Sequence, residues 1–288
     1  MDVKISNPDK ILFPFGIKKI DLIKYYENIS GLILQHLKNR LLMLERYPNG
    51  IKENKFYQKN IPGYVPKWIP RKKVKSEKVI TNYVICNNKE TLIYLANLAT
   101  ISFHIWLSRE DKLRIPDKLI FDLDPSIKRK NLLNETAEGF RFILEKIGLN
   151  FFLMATGSRG LHLVIPIKRE MDFKEVREFA GEIADFVCSK DPENLTTEQR
   201  KEKRGNRIFI DTYRNGFTQT AICPYSARAI DKAPIAAPIE WDELRNYNSQ
   251  KYNINNIFKR KKEPWKNFFK KENQKSVMKA RKIFKRII

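Results

Sequence analysis

From about residue 118 the sequence switches repeatedly between two periods. The segments "KLIFDLDPS", "NFFLMATGSRGLHLVIPI", "NRIFIDTYRN" and "TQTAICPYSARA" read as extended. Between the first three lie segments that repeat every three to four residues. In "ETAEGFRFILEKIGL" the residues Phe140, Ile143, Leu144 and Ile147 share one helical side. In "FKEVREFAGEIADFVCSK" the residues Val176, Phe179, Ala180, Ile183 and Val187 do the same. A period of two suits a strand and a period of 3.6 suits a helix, so this alternation predicts an α/β protein. The first half is less regular. A helix is expected from about Lys19, with Leu22, Tyr26, Ile29 and Ile33 on one face, followed by a strand "RLLMLERYPNG" closed by a Pro-Asn-Gly turn. A loop rich in proline, aromatics and basic residues follows, then a strand, a short helix and a strand carrying His104. The 288 residues suffice for one large domain or two fused modules.

Lys and Arg number 56 against 33 acidic residues, a net charge of +23. Such an excess seeks a polyanion, with nucleic acid the first candidate and a membrane surface the second. Residues 256–288 hold thirteen Lys or Arg against two Glu, yet the rest of the chain remains strongly positive. No apolar run approaches a membrane span, and the start "MDVKISNPDK" lacks a signal-peptide core, so a soluble, cytoplasmic protein is expected. Cys86, Cys188 and Cys223 are scattered, which excludes a disulfide framework and a cysteine-rich zinc site.

Three features carry chemistry. In "LIFDLDPS", Ile120, Asp122 and Asp124 share one strand face, while Leu119, Phe121 and Leu123 share the other. Two neighbouring carboxylates repel unless a cation lies between them, and hard oxygen ligands suit Mg²⁺ or Mn²⁺. Asp211 ends a second strand, on the face of Phe209 and opposite Ile208 and Ile210. "TGSRGLH" is a glycine-bracketed turn whose backbone N–H groups can face a phosphate, with Arg159 in it and His162 on the next strand. Each feature alone has a bland reading: a strand-end cap, an ordinary turn, a structural histidine. Their ordered combination, each at the end of an apolar strand on a basic protein, fits phosphoryl or nucleotidyl transfer.

The segments "NPDKILFPFG", "ERYPNG", "FYQKNIP", "FHIWLSR", "FDLDP", "TGSRGLH", "IDTYRN" and "PYSARA", with "APIAAPIEWDEL" after them, occur in this order. Together, over about residues 5–245, they resemble the polymerase domain of ligase D and its stand-alone relatives, the non-homologous end-joining polymerases of the archaeo-eukaryotic primase superfamily. The resemblance implies an RRM-like catalytic sheet with flanking helices beside an N-terminal α/β module. It implies a single primase-polymerase domain over 1–288, with a DNA-end-binding portion at 1–110, a catalytic core at 111–245 and a basic helical tail at 246–288. With no ligase or nuclease segment in the sequence, the stand-alone form is expected.

Roles follow residue by residue from the resemblance. Asp122, Asp124 and Asp211 would hold two Mn²⁺ or Mg²⁺ ions. Ser158, Arg159 and His162 would contact the incoming nucleotide, where relatives often have lysine in place of Arg159. His104 would lie near the nucleotide sugar, and Arg228 would reach the triphosphate. Phe56 and Tyr57 would stack on template bases, where many relatives have two phenylalanines. Lys10 and Lys19, with Asn7, would bind a DNA 5′-phosphate. Arg214 departs from the pattern, since relatives often carry an uncharged polar residue there. The implied function is filling of short gaps at double-strand breaks with a ribonucleotide preference. Gapped DNA ends and NTP or dNTP would be the substrates, Ku and a separate ATP-dependent DNA ligase the partners, and the nucleoid the place. The alternatives are a primase that starts chains de novo and a non-catalytic end-binding module that recruits Ku or ligase.

Overall fold

The computed structural model describes residues 3–75, 79–126 and 131–288. The chain divides into two compact units, and it crosses between them more than once. One comprises Met1–Asp111, Thr220–Ala237 and Gln250–Lys261; the other comprises Lys112–Gln219, Pro238–Ser249 and Lys262–Ile288.

In the first unit Ile11–Phe13 (β1) and Ile17–Lys18 (β2) form a short antiparallel hairpin that feeds the helix Lys19–Leu37 (α1). The Asp21 carboxylate accepts the Lys18 backbone N–H at 2.8 Å, satisfying a donor that a helix start leaves open. Leu42–Arg46 (β3), Phe56–Gln58 (β4), the hairpin Arg71–Lys75 (β5) and Ile80–Val84 (β6), the helix Lys89–Asn97 (α2) and Thr100–Trp106 (β7) follow. The main sheet here has the order Thr220–Ile222, β7, β3, β4, all antiparallel. Leu22, Tyr26, Ile29 and Ile33 of α1 are all buried, as their spacing predicts. The Tyr26 hydroxyl donates to the Ile101 carbonyl at 2.5 Å and accepts from the Ala227 N–H at 3.0 Å. The Tyr25 hydroxyl donates to the Tyr225 carbonyl at 2.6 Å. These bonds fix the returning segment 220–237 to α1 without leaving a buried hydroxyl unpaired.

The second unit contains Lys118–Pro125 (β8), Leu132–Lys146 (α3), Phe152–Ala155 (β9), Leu161–Pro166 (β10), Phe173–Lys190 (α4), Leu195–Thr196 (β11) and Ile208–Asp211 (β12). The sheet order is β11-β12-β8-β10-β9, with Ala237–Ile239 at the far edge. Its four inner strands run β12-β8-β10-β9 with every neighbouring pair antiparallel. This is a β-α-β-β-α-β unit, the RRM-like topology that the resemblance implies. Leu119, Phe121 and Leu123 are fully buried on the helix side, where Phe121 meets Phe140 of α3 at a centroid distance of 4.6 Å. α4 begins with a reciprocal cap between Asp172 and Glu175.

Of the basic segment 246–288, only Val277–Ile287 (α5) forms an α-helix. Phe284 packs edge-on against Phe179 and Phe186 of α4. The preceding stretch is held by aromatic packing: Trp265 donates its indole N–H to the Leu153 carbonyl at 2.9 Å, and Phe268 meets Phe152 at 5.0 Å. Among the described residues no helix is long and apolar enough to cross a membrane.

Candidate active site

The sheet register of the second unit decides where the acidic residues go. Asp211 of β12 pairs with Asp122 of β8, and Asp122 pairs with His162 of β10. The three side chains form one row across three strands. Asp124 lies two residues on, on the same face, opposite Phe209. Direct cross-strand partners place Cβ atoms about 4.5–5.5 Å apart, so two carboxylates there repel.

Asn215 locks this register. Its side-chain amide accepts the Ile120 N–H at 2.8 Å and donates to the Ile120 carbonyl at 2.8 Å, so it pairs with β8 as a peptide group would. The short turn from Asp211 to Asn215 therefore cannot slide along β8. Nothing local in the segment "IDTYRN" marks Asn215 as a partner of β8.

Charge balance differs from residue to residue. Burial opposes ionisation of Asp122, but His162 and Arg214 outweigh it and hold the carboxyl at about 2. His162 Nε2 lies 3.3 Å from Asp122 Oδ1, and Arg214 Nε lies 3.3 Å from Asp122 Oδ2. Arg214 Nε is also 3.7 Å from Asp211 Oδ2, so its guanidinium reaches both paired carboxylates. Burial raises the carboxyls of Asp124 and Asp211, and the charge of Asp122 pushes both further the same way. Arg159 Nη2 approaches Asp124 Oδ1 at 3.4 Å, but both side chains are open to water, which weakens the pair.

The turn between β9 and β10 is pressed against these aspartates. The Gly160 carbonyl accepts from the Thr156 hydroxyl at 2.9 Å, the Tyr247 hydroxyl at 2.5 Å and the Ser249 hydroxyl at 3.3 Å. A Cβ on Gly160 would lie 2.5 Å from the Leu123 carbonyl oxygen, a separation that side chains do not tolerate. Glycine is thus required for Ser158 and Arg159 to sit beside β8. Tyr247 and Ser249 come from a segment almost ninety residues later, so the pattern of the turn itself carries no sign of them.

Oxygen donors on a sheet, two of them with carboxyls raised by burial and by the charge of Asp122, fit a hard divalent cation in chemistry. Among the described residues no three acidic, histidine or cysteine side chains converge on one point. Arg214 lies against the carboxylates instead.

The remaining sequence candidates belong to the first unit. His104 is on β7, with Nε2 3.8 Å from Glu45 Oε2. Arg228 follows the buried Ala227, and its backbone N–H is held by the Pro234 carbonyl at 2.7 Å. Phe56 and Tyr57 are both exposed on the edge strand β4, where period two sends them to opposite faces. Phe56 stacks on the Arg46 guanidinium at 4.9 Å, and Tyr57 packs with the Lys55 ammonium. Lys10 and Lys19 lie at the base of the β1–β2 hairpin, joined by a 2.8 Å bond from the Lys19 N–H to the Lys10 carbonyl. Burial lowers the Lys19 ammonium, and the charge of Lys10 lowers it further. Asn7 is exposed, and its carbonyl accepts the Lys10 N–H at 3.2 Å. Glu45 is a buried carboxylate within this unit.

Comparison with known proteins sets this geometry in a family. The family described as LigD, primase-polymerase domain, matches residues 18–269. The multifunctional non-homologous end joining protein LigD of Mycolicibacterium smegmatis is 30% identical over 246 residues, covering 84% of this chain and 32% of that protein. The bifunctional LigD of Bacillus subtilis is 30% identical over 247 residues, covering 85% of this chain and 40% of that protein. The chain therefore spans about a third of the length of such relatives. The solved polymerase domain of Mycobacterium tuberculosis ligase D in complex with DNA superposes with a TM-score of 0.85 at 27% identity, covering 90% of this chain and 93% of that one.

Proposed function

The chain belongs to the LigD primase-polymerase family, and from that premise we propose that it is a template-dependent nucleotidyltransferase that fills short gaps at DNA double-strand breaks. The observation that carries the reading is the row of Asp211 and Asp122, with Asp124 beside them, abutting the glycine-bracketed turn. Asp122, Asp124 and Asp211 would hold Mn²⁺ or Mg²⁺, which when bound supplies Lewis-acid activation of the attacking 3′-hydroxyl and neutralises charge on the phosphoryl oxygens. His162, oriented by Asp122, and Arg159 at the turn offer donors to an incoming triphosphate. Ser158 offers a hydroxyl that both donates and accepts, as discrimination of a ribose 2′-OH requires. Arg228 and His104 add donors to the nucleotide in this reading, and Phe56 supplies a stacking face for a template base, with Tyr57 offering a second from the other side of β4. Ku and a separate ATP-dependent ligase are the proposed protein partners.

Recognition of the break is assigned to Lys10 and Lys19, with Asn7 at the same turn. Two ammonium groups close enough to perturb each other gain from a shared anion. A terminal phosphate carries more charge than an internal diester and rewards the pair more. Gap filling on substrates with a recessed 5′-phosphate is expected to be faster than with a 5′-hydroxyl, at one fixed salt concentration. Lys10→Ala/Lys19→Ala should remove that difference yet still extend a simple primer-template. Equal filling of both ends by the wild-type protein would contradict the assignment.

A further inference from the structure

A second charged cluster lies within the first unit, around the buried Glu45. Glu45 is in the middle of the antiparallel sheet, with its side chain 8% exposed. An unpaired carboxylate in such a place would take up a proton rather than ionise. Here burial does oppose ionisation, but His104 and Lys55 outweigh it and hold the Glu45 carboxyl well below the usual range.

The register explains the cluster. Glu45 pairs with Tyr57 of β4 and with Ser102 of β7, and Met43 pairs with His104. Glu45 and His104 are therefore diagonal neighbours on one sheet face. The two carboxylate oxygens divide their partners. Oε1 accepts from Lys55 Nζ at 2.8 Å and from the Tyr47 hydroxyl at 3.0 Å. Oε2 faces His104 Nε2 at 3.8 Å, an ion-pair separation. Lys55 Nζ also donates to the Tyr57 hydroxyl at 2.9 Å. The titratable groups facing Glu45 are thus Tyr47 from the end of its own strand, Lys55 and Tyr57 from the β4 side, and His104 from β7. Arg46 points to the other face, where it donates to Gln58 at 2.7 Å. The His104 side chain is 15% exposed, so it is mostly enclosed without being sealed from solvent.

We propose that Glu45 is the positioning residue of His104, holding the ring in place as an imidazolium donor, and that Lys55 with Tyr57 on the edge strand tunes this charge. The inference rests on the reading that His104 donates to the incoming nucleotide only for its consequence in activity; the linkage itself stands on the cluster. Lys55 and His104 draw on the same carboxylate. Anything that pulls Lys55 away from Glu45, such as a base stacked on Tyr57 or a nearby phosphate, leaves more of the anion to the imidazole and strengthens its hold on the proton.

The sign of each change follows. Glu45→Gln keeps the shape and removes the charge, so His104 should release its proton at lower pH, by about one unit for an opposite charge at this distance. Lys55→Met removes the competing cation, so His104 should release its proton at higher pH. The measurement is histidine C–H proton NMR titration of the full chain. The sequence has only three histidines, and a His104→Gln protein assigns the resonance. A part in packing alone would move neither titration. Thermal melting of each variant verifies folding, and Lys55→Met, at a half-exposed side chain, keeps the test open even if Glu45→Gln melts early. Opposite shifts in the two variants support the linkage; an unmoved His104 titration in both overturns it. In gap filling, Glu45→Gln should raise KM for the nucleotide several-fold at pH 8 and less at pH 6, with Glu45→Asp restoring part of the loss. Opposite NMR shifts with no pH-dependent KM change would uphold the linkage and remove His104 from the nucleotide-binding set.

Discussion

The two sheets each carry carboxylates on antiparallel strands, and they treat them in opposite ways. In the first unit Glu45 is enclosed and satisfied from within: Lys55, Tyr47 and His104 surround it, and its carboxyl is depressed. In the second unit Asp124 and Asp211 face each other's neighbourhood, stay partly open and have raised carboxyls, with Asp122 adding to the repulsion. Arg159 and Arg214 approach them only at 3.4–3.7 Å, from half-exposed side chains. One site has made its own counter-ion; in the other His162 and Arg214 satisfy Asp122, while Asp124 and Asp211 are left short of positive charge at close range. That deficit, held in place by register and by Asn215, is what a site for an external cation needs.

The largest effects should come from breaking the open site. Asp122→Ala, Asp124→Ala and Asp211→Ala are each expected to reduce primer extension to background. DNA affinity should change little, because a net charge of +23 supplies binding. A gel-shift titration beside the extension assay separates the two. Full extension by any of these proteins would remove that residue from the site.

Gly160→Ala tests the closeness of turn and strand. The added Cβ meets the Leu123 carbonyl at 2.5 Å, so the turn must retreat from β8. Misplacement on the order of 1 Å can cost about a hundredfold in kcat, and a loss of that order is expected here. An unchanged kcat would mean that the turn does not position the nucleotide.

Ser158→Ala should narrow the NTP-over-dNTP preference. A lost hydrogen bond to the 2′-OH costs about 1–3 kcal/mol, roughly tenfold to a hundredfold in discrimination. A wild-type protein that prefers dNTPs would defeat this reading at its first step.

The smallest effect sharpens the comparison most, because the two sites should respond with opposite sign. Glu45 has a depressed carboxyl, so its pairing adds stability that is complete above the unfolded carboxylate range, about pH 4, and fades as pH falls further. Asp124 has a raised carboxyl, so its ionisation subtracts stability as pH rises from the unfolded carboxylate value, about pH 4, through the raised one. In EDTA at pH 7, Asp124→Asn should raise Tm and Glu45→Gln should lower it, and both differences should shrink toward pH 3. Shifts of the same sign would show that the two carboxylates are not in contrasting environments.

Much of the catalytic sheet was legible in the sequence. Period two placed Asp122 and Asp124 on one face and Asp211 opposite Ile210, and period 3.6 marked the buried sides of α3 and α4. What a local pattern cannot carry is pairing between distant segments. Nothing in "ERYPNG" says that Lys55 returns to Glu45 across a loop, nor that "TAI" at 220–222 leaves the neighbouring strand to join β7. The tail reads as a charged run, yet Trp265 and Phe268 pack beneath β9 and only its last stretch is an α-helix. Phe56 and Tyr57 show the reverse. They are neighbours in sequence, and strand alternation by itself sends them to opposite faces of β4.

The central claim is that the second unit, and not the first, takes up an external divalent cation. Mn²⁺ binding followed by electron paramagnetic resonance, without nucleotide or DNA, tests it on the wild-type, Asp124→Ala and Glu45→Gln proteins. The account predicts that Asp124→Ala weakens binding by at least about tenfold, as loss of a ligand must exceed the tenfold to hundredfold seen for outer partners. Glu45→Gln should bind as the wild type does. Wild-type affinity in Asp124→Ala, or an equal loss in Glu45→Gln, would contradict it.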